Sequence, residues 1–122
     1  MELSLSIEPY DVLVVRLREQ EQDVRIDVTP AAAGAASLTR ALQLAVANGY
    51  GECFWPAARG GQYWWMFKRD AESLEIIAMW TRGGASLWEH VFRATDEVDW
   101  VRRRLNEEID GLGDLSKESH PR

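Results

Sequence analysis

At 122 residues, 46% apolar and 28% charged, the chain has the size and mix of one globular domain, able to bury roughly two-thirds of its unfolded surface without disulfide or metal staples. A formal net charge of -6 and a pI near 4.9 argue against nucleic acid as a partner, because phosphate backbones attract the opposite charge. The single cysteine, Cys53, rules out an internal disulfide and fits a reducing cytoplasm, while Met1–Tyr10 does not read as a signal peptide and no apolar run approaches the ~20 residues of a membrane helix.

Leu3, Leu5 and Ile7 alternate with polar residues, which marks a half-buried strand. A turn at Glu8-Pro9-Tyr10-Asp11 leads to a second strand, Val12 to Arg18. The charged stretch 19–23 turns the chain into a third, where Val24, Ile26 and Val28 alternate with polar neighbours. A small-residue connector, Pro30 to Ala36, precedes a helix predicted to start at an N-cap Ser37. Leu38, Ala41, Leu42, Ala45 and Val46 recur at helical spacing, and Asn48-Gly49 closes the helix. Gly34 argues against an earlier start.

From Glu52 the period becomes two. Residues 52–59, 62–69, 74–82 and 87–93 are four candidate strands, joined by turns at Gly60-Gly61, Asp70–Ser73 and Gly83–Ser86. Short turns make neighbours antiparallel. Thr95 is placed as the cap of a last helix whose apolar stripe is Val98, Val101, Leu105, Ile109 and Leu112, with Asp96, Glu97 and Asp99 at its positive end. The fold class is therefore α+β, mainly antiparallel sheet, in the order βββ-α-ββββ-α, with two helices packed on one sheet face. Residues 1–113 form the expected domain, and 114–122 a polar, frayed tail.

All six tryptophans, and eleven of the twelve aromatic residues, lie between Tyr50 and Trp100. A two-residue turn at Gly60-Gly61 pairs Arg59 with Gln62, Pro56 with Trp65, Trp55 with Met66 and Cys53 with Lys68. The next turn pairs Arg69 with Leu74 and Lys68 with Glu75, a favourable charge pair. One face then carries Phe54, Pro56, Tyr63, Trp65, Phe67, Leu74, Ile76, Ala78 and Trp80, and suits packing against helices. The other carries Trp55, Trp64, Met66, Ile77, Met79, Trp88, His90 and Phe92. Tryptophans and adaptable methionines on a second face point to a binding surface, with Trp55, Trp64, Met66, Ile77, Met79, Trp88 and His90 as its residues.

Catalytic chemistry finds little support. Cys53 and His90 fall on the first and fourth strands of the second sheet, about 14 Å apart at three strand spacings, too far for a nucleophile and its base. No metal-ligand spacing, phosphate loop or nucleophile elbow occurs, and no cofactor is implied. Glu89 is expected on the aliphatic face beside Trp80. Arg102-Arg103-Arg104, flanked by acids, reads as a solvated helix face. The expectation is a small acidic non-enzymatic interaction domain in the cytoplasm, whose aromatic sheet face, unless the first meander folds over it, makes a homodimer or binds another protein. A concrete version is an immunity-type inhibitor of a basic protein. The alternative is a small enzyme or ligand carrier with an aromatic-lined cavity.

Overall fold

The computed structural model describes residues 1–83 and 87–113. Its order is βββ-α-ββββ-α, with two antiparallel sheets: β1 (Glu2–Glu8), β2 (Val12–Glu19) and β3 (Gln22–Val28), then α1 (Ala31–Asn48), then β4 (Tyr50–Pro56), β5 (Gln62–Asp70), β6 (Ser73–Thr81) and β7 (Glu89–Glu97), then α2 (Val98–Gly111). No helix among the described residues is long and apolar enough to cross a membrane. The expected turn residues 84–86 and tail 114–122 lie outside the described residues.

The alternation in the first three strands works as expected. Leu3 faces Leu17, Leu5 faces Val15, and Leu17, Val15 and Leu13 face Val24, Ile26 and Val28 in turn. These side chains form one apolar face. The hairpin tips hold Tyr10, Asp11 and Gln20 at positive φ.

Helix α1 begins at Ala31, well before the predicted cap at Ser37. The small residues Ala31, Gly34 and Ala35 are all buried, because here the helix runs close to β3. A β-carbon on Gly34 would overlap Val28 Cγ1. Gly34 is therefore a close-approach residue inside the helix, not a mark before its start. Ser37 instead donates its hydroxyl to the Gly34 carbonyl at 3.0 Å and accepts the Trp55 indole N–H at 2.9 Å. Gly49 caps the helix as predicted, in the left-handed region with φ 93°.

In the second sheet the β5–β6 register is the predicted one, with Lys68 opposite Glu75 and Arg69 opposite Leu74. The β4–β5 register is not. Cys53 lies opposite Trp65, Phe54 opposite Trp64, and Pro56 opposite Gln62. The Ala57 N–H donates to the Gly61 carbonyl, so the hairpin closes around three residues, 58–60, rather than two. Pairing shifts by three, an odd number, and every β4 side chain changes face. Trp55 moves into the core, while Phe54 and Pro56 move out. A second correction comes from a bulge where Ala78/Met79 meet β7: Ala78 faces Phe92 and Met79 faces His90, leaving Val91 as the extra residue. His90 keeps its predicted face, but Phe92 turns inward and is fully buried.

Both helices pack on the inner face of the four-stranded sheet, α1 over β4 and β5, α2 over β6 and β7. They also reach β2 and β1 of the smaller sheet. The core so enclosed includes Leu13, Leu17, Ile26, Leu38, Trp55, Trp65, Ile76, Phe92 and Leu105. Thr95 belongs to β7 rather than capping α2. The helix start is satisfied instead by the backbone, since the Val98 N–H donates to the Glu72 carbonyl at 2.8 Å.

Exposed strand edges invite unwanted pairing, and side chains occupy two of them. Along β1, Arg104 Nε donates to the Leu3 carbonyl at 3.0 Å, and Glu108 accepts the Leu5 N–H at 2.8 Å. Along β7, the Gln22 amide both donates to the Arg93 carbonyl and accepts the Arg93 N–H. On β4, bonds from Ala57 to Gly61 and from Arg69 to Gly49 show that the odd-numbered residues form the ladder. Pro56, even-numbered, thus stands where no ladder N–H is needed.

Candidate functional site

The outer face of the four-stranded sheet can be read row by row from the register. Phe54, Trp64, Met79 and His90 form one row across β4 to β7. Glu52, Met66, Ile77 and Arg93 form the next, and Tyr50, Lys68, Glu75 and Thr95 the third. The face grades from aromatic, through aliphatic and thioether, to charged. None of Phe54, Trp64, Met66, Ile77 or Met79 belongs to the buried core. Phe54 is 45% exposed and Tyr50 42%.

The aromatic end is held in place. Phe54 stacks on Trp64 with ring centroids 5.6 Å apart, and Trp88 meets Trp64 edge-on at 5.3 Å and Phe54 at 6.2 Å. Such offset and edge-on pairs follow the ring quadrupoles. Glu52 Oε1 accepts the Tyr50 hydroxyl at 2.8 Å and the Trp64 indole N–H at 3.1 Å, fixing the indole from its polar side. Burial, and then the hydrogen bond to Glu52, push the Tyr50 phenol up to about 12, so it stays a neutral donor. At the charged end, Glu75 Oε2 takes Arg93 at 2.7 Å. Lys68 is thus the cross-strand neighbour of Glu75 but not its ion-pair partner.

Of the predicted surface residues, Trp64, Met66, Ile77, Met79 and His90 share this face, and Trp88 joins it through its ring contacts. Trp55 does not. It is fully buried on the inner face, donates to the Gly34 carbonyl at 3.1 Å, and meets Trp65 edge-on at 5.3 Å. Its place is taken by Phe54, with Tyr50 and Glu52. A signal for this was present: Gly51 and Cys53 alternate with the larger Tyr50, Glu52 and Phe54. The small residues go under the helix, and a β-carbon on Gly51 would overlap the Ala41 carbonyl.

The inner aromatics are packed against one another as core rather than lining a cavity. Cys53 lies on the inner face, where burial pushes its thiol up to about 12 despite a hydrogen bond with Ser37. His90 is exposed on the opposite face, on the opposite edge strand. The two cannot act as nucleophile and base. Glu89 faces Trp80 as expected, but is exposed. Among the described residues no group of three or more His, Cys, Asp and Glu side chains could hold a metal ion. Comparison with known proteins returns no match, whether to a family model, to a curated protein or to a solved structure.

Proposed function

We propose that this is a non-enzymatic interaction domain that self-associates through the outer face of its four-stranded sheet. One observation carries the reading: the charges around the apolar centre of the face balance, and only its far end, the row of Asp70, Ser73 and Glu97, is acidic. Glu52 and Glu75 stand against Lys68 and Arg93, whereas the chain as a whole is -6. A basic partner would gain little at a neutral patch, but a second copy meets no repulsion there. The anatomy suits an interface: an apolar centre of Phe54, Trp64, Met66, Ile77 and Met79 inside a polar rim.

The size also fits. Three strands of nine residues and one of seven, at ~3.3 Å per residue and ~4.8 Å spacing, give a face of roughly 540 Å² in projection. That is the same order as the ~800 Å² each partner gives a standard interface. A reducing cytoplasm suits the reading, since it keeps a lone buried thiol such as Cys53 reduced. Sedimentation equilibrium at micromolar concentration tests it. The parent chain should sediment as a dimer and Trp64→Glu as a folded monomer. A parent chain that stays monomeric across that range contradicts the proposal.

A further inference from the structure

We infer that the cleft between the outer face of the three-stranded sheet and α2 binds a small organic oxyanion: a carboxylate or phosphate monoester on a flat apolar body. The cleft encloses about 520 Å³, and its wall includes Ser4, Arg16, Arg18, Trp100 and Arg104. That volume lies within the ~300–1,000 Å³ of small-molecule sites. Three guanidinium groups gather in the cleft, together with the carboxylates of Glu2 and Asp23.

Most of these charges are already committed. Arg18 sits between Glu2 and Asp23, at 3.6 and 3.4 Å. Arg104 holds Glu108 and the Leu3 carbonyl. Arg25, directly opposite Arg16 across the strands, is taken by both oxygens of Glu8. Arg16 has no acceptor among the described residues. Its cross-strand neighbours are Ser4, a hydroxyl, and Arg25, a like charge. That like-charge pair is already offset inside the fold, since Glu8 holds Arg25 and its carboxylate also feels the charge of Arg16. An oxyanion would give the Arg16 guanidinium the close acceptor that no described residue supplies. The planar guanidinium gives two parallel bonds to a carboxylate or phosphate. The partly buried Trp100 offers a wall for a flat body.

The test is a titration followed by NMR at fixed ionic strength, reading the arginine Nε–H and tryptophan indole N–H signals. Phenyl phosphate, benzoate and neutral benzyl alcohol are the probes. Saturable shifts at Arg16 and Trp100 with either anion, absent with the alcohol, are expected. Arg16→Gln should weaken binding roughly tenfold or more, the scale of a lost charged hydrogen bond. Response to the phosphate alone or the carboxylate alone identifies the source of the oxyanion. Arg16 is exposed, so the variant keeps its fold, which the same spectra verify. Shifts that do not saturate, an equal response to the alcohol, or undiminished binding by Arg16→Gln would overturn the inference.

Discussion

Gly34 of α1 crosses β3 at Val28 with no room between them for a β-carbon. In an ordinary helix Gly→Ala stabilises by about 1 kcal/mol. Here Val28 is 1% exposed and β-branched, so it cannot swing aside, and overpacking costs about 1–3 kcal/mol. Gly34→Ala should therefore lower stability in urea melts. Adding Val28→Ala should return part of the loss, because it empties the contested space. A Gly34→Ala variant more stable than the parent would show that the helix can lift off the strand.

Tyr50 gives a pH dependence of known sign. Its folded pKa, pushed up to about 12 chiefly by burial, lies above the ~10 of an unfolded tyrosine. The neutral phenol is favoured on folding, so its contribution is complete below about pH 10 and is lost as pH rises through 12. Tyr63 is raised in the same direction, also by burial. Stability should fall across that alkaline window, and Tyr50→Phe should flatten the fall. Guanidinium melts at a series of alkaline pH values read both effects.

Cys53 should behave as a core thiol. Its raised pKa leaves almost no thiolate near neutral pH, and thiolate is the reactive form. Alkylation of the native protein should be slow at pH 7 and fast in denaturant, with His90→Ala unchanged. Rapid labelling below pH 7 that vanishes in His90→Ala would instead mark a catalytic pair, and the non-enzymatic reading would fall.

Element order was legible because apolar alternation and turn residues act locally. The faces were less legible because they depend on loop closure. Gly60-Gly61 resembles a two-residue turn, yet the Ala57–Gly61 bond closes the hairpin around three residues, and that odd shift exchanges Trp55 and Phe54. The bulge opposite Ala78/Met79 does the same for Phe92. No residue type in 87–93 announces it. The early start of α1 was hidden by reading Gly34 for its helix propensity, whereas its role is tertiary, set by Val28. The pairs that cap the strand edges, Gln22 with Arg93 and Glu108 with Leu5, span 71 and 103 residues and leave no trace in local pattern.

In the proposed dimer Trp64 and Trp88 face a second copy, while Trp55 and Trp65 belong to the core. Fluorine NMR of protein labelled with 5-fluorotryptophan, assigned by single Trp→Phe variants and followed on dilution from millimolar to sub-micromolar, tests it most directly. The signals of Trp64 and Trp88 should move together toward solvent-exposed values as the dimer dissociates, with Trp55 and Trp65 unmoved. Four signals all independent of concentration, or movement confined to Trp55 and Trp65, would contradict the account.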